Sequence, residues 1–194
     1  MKKITEKYKN LEIEIFDEDN FDLNSVDNKR IYGRIYPTDS ILEYNPTTKH
    51  GIRIIQNGIV KQSALIMGFS GATGIYKNSY LIKNGNLFIC CSNEIYSLNL
   101  KDLSLNWKNE FDIATCFGIY EFCEDFIIHG ELEINRIDQN GNIKWSFGAR
   151  DIFVNPNGKT EIEINENRIE LIDWEGTFYE LNENGKLVKE IKTA

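Results

Sequence analysis

The residues of this 194-residue chain that could do chemistry are two histidines, four cysteines, one glycine-dense loop and several groups of carboxylates. His129 stands in Phe126-Ile127-Ile128-His129-Gly130-Glu131, where an imidazole could act as a general base. That role needs Glu131 or Asp125 to orient the ring and a water or nucleophile within about 3 Å. Catalysis takes several convergent groups and only one is visible, so a hairpin-corner histidine bonding turn backbone is expected, and no enzyme. His50, in Asn45-Pro46-Thr47-Thr48-Lys49-His50-Gly51, reads as an exposed loop residue. The histidines are not spaced as a ligand pair and no C-x-x-C knuckle occurs, so neither a metal site nor a cofactor is expected. Cys90, Cys91, Cys116 and Cys123 all lie in apolar runs and read as free, buried thiols.

Gly68-Phe69-Ser70-Gly71-Ala72-Thr73-Gly74 could bring backbone N–H groups to an anion, but no Gly-Lys-Ser/Thr follows; a tight connection between sheets is expected instead. Asp138-Gln139-Asn140-Gly141-Asn142 approaches a calcium loop without the downstream bidentate Glu, which leaves a hairpin turn. The carboxylates are more informative. The formal charge is −8, and residues 151–194 alone hold ten acidic against five basic side chains. In Glu161-Ile162-Glu163-Ile164, strand alternation sets both carboxylates on one face and both isoleucines on the other. Trp174 stands in the turn Asp173-Trp174-Glu175-Gly176, an aromatic among carboxylates as at protein-binding hot spots. Glu121, Glu124 and Asp125 form a second acidic group. The expected site is therefore a binding surface of Glu161, Glu163, Asp173, Trp174, Glu175, Glu121, Glu124 and Asp125, facing a basic protein partner. A pI near 4.9 argues against nucleic acid, which needs a basic face to release counterions.

The elements that must position these residues are strands. The chain has 28 Ile and 22 Asn but only 5 Ala, which disfavours a helical bundle. Met1-Lys2-Lys3 leads into no apolar signal core, and the longest apolar stretch, about Ala64 to Phe69, is far shorter than a membrane span; a cytoplasmic, single-domain protein is expected over 1–194. Five Asn-Gly dipeptides, at 57-58, 84-85, 140-141, 157-158 and 184-185, supply the positive φ of type I′ hairpin turns. Gly58 and Gly141 are 83 residues apart and Gly141 and Gly185 are 44 apart, and a further unit, with Ser104 at the Gly place, fits between the first two. Trp107 and Trp145 follow their turns at matching places; Gln62 and Lys189 occupy that place in the first and last units. Each unit holds about four short strands, so the fold class is all-β: about four propeller-like units over 51–194, forming a small closed propeller or an open arc of stacked sheets. Residues 1–50 read as irregular strands (Leu11–Phe16, Ile31–Tyr36) and a polar loop, with the start closing the array by pairing with the last unit.

Ile95-Tyr96-Ser97-Leu98 through Trp107, and Ile134-Asn135-Arg136-Ile137-Asp138 through Trp145, resemble the repeat of quinoprotein-type β-propellers, a "Tyr-Ala-Leu-Asp" strand, a Gly turn and a Trp-bearing strand. The resemblance covers roughly 53–192 and implies architecture only, because full quinoproteins carry about twice as many units. In size, acidity and lack of catalytic groups the chain is also similar to bacterial immunity proteins, without a shared motif. That likeness implies a non-enzymatic inhibitor whose acidic face occludes a basic toxin. A small-ligand or carbohydrate-binding module, with Trp107 and Trp145 as exposed stacking platforms, is the alternative.

Overall fold

The computed structural model describes residues 2–37, 45–156 and 160–192. Among the described residues there is no helix; 17 strands form four sheets. The first sheet holds β1 (Lys3–Tyr8), β2 (Leu11–Asp17), β3 (Arg34–Tyr36), β4 (Thr48–Gln56) and β5 (Ile59–Gly68) in the order β1-β2-β4-β5-β3. Three four-stranded antiparallel sheets follow in chain order. They are β6 (Tyr80–Lys83), β7 (Asn86–Cys91), β8 (Glu94–Asn99) and β9 (Leu105–Glu110); then β10 (Cys116–Phe122), β11 (Asp125–Gly130), β12 (Glu133–Ile137) and β13 (Ile143–Gly148); then β14 (Ile162–Asn165), β15 (Arg168–Ile172), β16 (Phe178–Asn182) and β17 (Leu187–Ile191).

The expected pairing of the chain start with the last unit does not form. Instead β1 and β2 complete the first sheet, with Ile13 opposite Ile54 and Ile15 opposite Ile52. Among the described residues no strand of the first sheet pairs with the fourth, so the array is an open arc. The short β3 lies parallel to β5 at the sheet's outer edge.

Burial explains the sequence texture. The second and third sheets are sandwiched, so β7 (NLFICC) and β11 (DFIIHG) are apolar on both faces and nearly continuous. Ile13, Ile52 and Ile66 pack on Ile89, Cys91 and Leu98 between the first two sheets; Phe88 and Ile95 pack on Phe126 and Ile128 between the next two. Ile127 and Ile134 pack on Ile169, Leu171 and Leu181 between the last two. Among the described residues the fourth sheet has one neighbour, and its strands IEIN and RIELI alternate accordingly, while Tyr179, Glu180 and Leu181 of FYELN are all buried. The outer face of the first sheet is covered by its own chain. Phe21, Leu23, Tyr32 and Ile35 close over Phe16, Leu65 and Met67. Under that cover the buried Glu18 pairs with Arg30 at 3.1 Å and accepts the Tyr32 hydroxyl.

All four sheets break register at one equivalent place, beside the pairs Ile54–Gln62, Ser97–Trp107, Arg136–Trp145 and Glu180–Lys189. There each tryptophan reaches the turn of the next sheet. Trp107 Nε1 donates to the Gln139 carbonyl and Trp145 Nε1 to the Glu183 carbonyl, both at 3.0 Å. The ring lies against the turn glycine, so a Cβ on Gly185 would stand 2.5 Å from Trp145. The first sheet lacks the tryptophan and uses β3 in its stead. Tyr36 Oη donates to the Leu103 carbonyl at 3.1 Å and accepts from Leu105 N, while Arg34 Nε donates to the Asp102 carbonyl at 2.9 Å.

The turns divide into two kinds. Asn57-Gly58 and Asn84-Gly85 both have positive φ at both residues, as expected. At Asn140-Gly141 and Asn184-Gly185 only the glycine does. There Asp138 and Asn182 accept backbone N–H groups two and four residues on, which selects a longer turn ending in a left-handed glycine. In the second sheet Leu103, not Ser104, takes the left-handed conformation (φ 57°), because its buried side chain fills the first core. Asn157-Gly158 lies outside the described residues.

The interlock is testable by comparing two glycines. Gly58→Ala meets no neighbour within 4 Å and pays only for its φ of +74°, about 1–2 kcal/mol. Gly185→Ala (φ +71°) carries the same strain and also displaces Trp145, which adds about 1–3 kcal/mol of overpacking. Urea unfolding is expected to rank Gly185→Ala as clearly less stable, with its tryptophan emission moved to the red; equal midpoints would show that the ring does not lock the sheets.

Candidate binding surface

Among the described residues no sheet packs on the outer face of the fourth sheet. Register places Glu163 opposite Glu170, Glu170 opposite Glu180 and Glu180 opposite Lys189, a row of three carboxylates of which Glu163 is exposed, Glu170 half-buried and Glu180 buried. Like charges directly opposite destabilise a sheet. Arg168 offsets part of the repulsion by pairing with Glu180 at 2.5 Å. The next row is apolar, Ile172 opposite Phe178 and Phe178 opposite Ile191. Beyond it the turn carrying Trp174 closes that end of the sheet, with Trp174 47% exposed. Edge strand β17 is exposed throughout, including Leu187, Val188 and Ile191.

The expected residues distribute unevenly over this surface. Glu163 is exposed on it, and Glu175 is exposed in the adjoining turn, 3.8 Å from Lys192. Asp173 is withdrawn from it. Fully buried, it accepts the Thr177 N–H at 2.8 Å and the Tyr179 hydroxyl at 2.7 Å, which fixes the turn. Glu161 turns into a cleft at the start of β14, its Oε1 accepting Asn155 N at 3.1 Å. Glu121 and Glu124 belong to the β10–β11 hairpin of the third sheet; Glu121 lies 3.4 Å from Lys83. Asp125 of that hairpin is buried and paired with Arg136 and Lys144, each at 2.7 Å, so it is an internal ion pair and no contact residue. Glu170 and Glu180 complete the row but were visible in the sequence only as part of the acidic excess; the signal for Glu170 was the alternation in RIELI.

The remaining candidates resolve as follows. His50 is not an exposed loop residue. It is buried on β4, opposite Asp17, with Nδ1 3.3 Å from Asp17 Oδ1. Burial raises the Asp17 pKa, but His50 and the Ile75 N–H outweigh it and hold the carboxyl below its ordinary value. His129 is buried, with Nε2 3.0 Å from the Phe153 carbonyl, and neither Glu131 nor Asp125 bonds it, so the orienting carboxylate of a general base is not supplied. All cysteines are free, but Cys123 is exposed, since it takes a left-handed φ of 55° in the β10–β11 turn. Gly71 is the close approach between sheets, where a Cβ would stand 1.8 Å from Thr115 Oγ1. Asp138 is the hairpin acceptor described above. Among the described residues no group of three His, Cys, Asp or Glu could hold a metal ion, and no helix is long and apolar enough to cross a membrane.

No family model and no curated protein matches the sequence. Solved structures do match. The computationally designed Ika8 protein aligns with a TM-score of 0.53 and 7% identity, over 78% of this chain and 48% of its own. BamB from Moraxella catarrhalis aligns at 0.50 and 11% identity, over 77% of this chain and 47% of its own. The fold is propeller-like. At such identities the likeness concerns fold alone, and the chain spans about half the length of each of these structures. Its four sheets are thus the blades of an open arc, β1, β6, β10 and β14 each beginning a blade, and the acidic row belongs to the free face of the last.

Burial of His129 between the third and fourth blades lowers its pKa from the ordinary value near 6.5. Desolvation is the largest cause, exceeding the opposing pull of the Phe153 carbonyl and of nearby Glu161 and Asp112. The unfolded chain therefore takes up a proton first as pH falls. Stability from this group is present above pH about 6.5 and declines below it, towards the lower native value. His129→Gln is expected to flatten the unfolding free energy across that window. A slope unchanged by the substitution would assign the acid sensitivity elsewhere.

Proposed function

We propose that this chain is a non-enzymatic protein-binding module that docks a basic partner on the free face of its last blade. The observation that carries the reading is the row Glu163–Glu170–Glu180 beside Ile172, Phe178 and Ile191, on a sheet face with no neighbouring blade. Glu163 and Glu170 stand opposite each other at a cost in sheet stability, which a cationic partner would offset. The apolar row next to them gives such a partner contact area, and Trp174 offers an anchor at its rim. In its finer form the reading is an immunity-type inhibitor: the acidic face would occlude the cationic site of a basic toxin, charge complementarity speeding the encounter and the aromatic contacts slowing dissociation. The carbohydrate alternative required Trp107 and Trp145 as exposed platforms. Both are half-buried with their Nε1 groups bonded to the next turn, so that version loses its residues.

The test is capture from native lysate at low salt, with wild-type chain and a Glu163→Lys/Glu170→Lys double variant in parallel. A basic partner is expected on the wild type, lost at high salt and reduced at least about tenfold in on-rate by the double variant. A partner retained equally by both would move the interface off this face. The immunity form further requires that the captured protein be toxic when expressed alone and harmless when expressed with this chain.

A further inference from the structure

A cleft of about 440 Å³ opens between Tyr76 and Asn78 before β6, Phe117 and Tyr120 of β10, and Thr160 to Ile162 at the start of β14. Its wall is aromatic, with Tyr76, Phe117 and Tyr120 around the opening. The rings are held in place. Tyr76 Oη donates to the Phe117 carbonyl, and Tyr120 Oη accepts from Asn78 Nδ2 at 3.4 Å. Phe117 meets the His129 ring edge-on at a centroid distance of 5.5 Å.

One side chain lining the cleft is charged, and it is Glu161. Among the described residues the Glu161 side chain has one bond, from Asn155 N, and no lysine or arginine lines the cleft. The imidazole of His129 adds no positive charge, since burial lowers its pKa; with Nε2–H donated to Phe153, its Nδ1 is an acceptor. Glu161 lines the same cleft as Tyr76 and Tyr120, and burial pushes the pKa of both hydroxyls upward. Among the described residues the cleft therefore offers aromatic rings, a carboxylate and hydroxyl groups, and no cationic side chain. Its complement is positive and compact. An anion would meet Glu161.

We propose that this cleft binds a small organic ammonium ion, its cationic head lying against Tyr76, Phe117 and Tyr120 and paired with the Glu161 carboxylate. Aromatic faces attract such a head through their quadrupole, most strongly for alkylated ammonium groups whose own hydration is weak. The volume is of the order found in small-molecule sites, about 300–1,000 Å³.

The proposal is tested by ¹H NMR titration of the full chain with tetramethylammonium, butyltrimethylammonium and n-butylammonium, against the neutral isostere 3,3-dimethylbutanol. The expected result is an upfield shift of the N-methyl protons by the surrounding rings, with the isostere binding about tenfold or more weakly. Glu161→Gln keeps the acceptor for Asn155 N, and is expected to weaken ammonium binding about tenfold while the unfolding midpoint and the weak response to the isostere stay unchanged. Phe117→Leu supplies an independent reading, since it removes one ring and should reduce both the shift and the affinity. Comparison of the quaternary and primary amines separates an alkylated head from a plain amine. Equal binding of the neutral isostere, ammonium affinity unchanged in Glu161→Gln, or no shift with any of the cations would each overturn the proposal.

Discussion

Each sheet of this chain has two faces, and the structure follows from what covers them. A twisted sheet of short strands is not stable alone, so every face that carries apolar side chains must find a neighbour. Three interfaces satisfy six of the eight faces. The two remaining faces lie at the ends of the arc, and they are treated in opposite ways. The first is closed by the segment between β2 and β3, which lays Phe21, Leu23 and Tyr32 over Phe16, Leu65 and Met67. The last carries carboxylates and stays open. A closed ring would have packed these two ends against each other. Here the chain has filled one of them with its own residues.

Registration between blades depends on the outer turns as well as on the cores. The tryptophan of one blade sits on the turn glycine of the next, where a side chain larger than hydrogen would collide with the ring. That contact is directional, because the donor lies on a strand and the acceptor on a turn carbonyl. It therefore has a first and a last member. Lys189 stands at the tryptophan place of the fourth blade. Gln62 stands there in the first blade, where β3 brings Tyr36 and Arg34 to the turn of the second. The same geometric need, holding the next turn's carbonyls, is met by unrelated residues supplied from an added parallel strand.

These two facts explain what the sequence makes legible. The repeat was readable from Trp107, Trp145 and the Asn-Gly turns because turn geometry and the interlock demand those residue types at fixed spacing. The membership of β1 and β2 in the first blade was hidden, since β3 and the long segment around it separate them from β4 and break the period. His50 was misplaced for the same reason: the polar residues before it resemble a loop, and only pairing with Asp17 on β2 shows that it is buried. Asp125 and Asp173 were drawn into the binding surface by residue type alone. Composition does not distinguish a carboxylate facing solvent from one whose partners, Arg136 and Lys144 or Tyr179, arrive from other strands.

Glu161 and Glu163 show how closely two surfaces are set by one strand. They are two residues apart and share a parity, which in a regular strand would put both on the free face. Regular pairing, however, runs from Ile162, which is buried; Glu161 lies just before it and is drawn towards Asn155 N. Its carboxylate then belongs to the aromatic cleft, while Glu163 faces outward opposite Glu170. The buried Ile162 and half-buried Ile164, packed on the third blade, hold that division in place. The acidity of the last blade is consequently split between a flat row suited to a macromolecular surface and a single enclosed charge suited to a small cation. Removal of Glu161 would leave the row intact, and reversal of Glu163 would leave the cleft's charge unchanged. The two sites are separable by mutation although the same four-residue strand positions both.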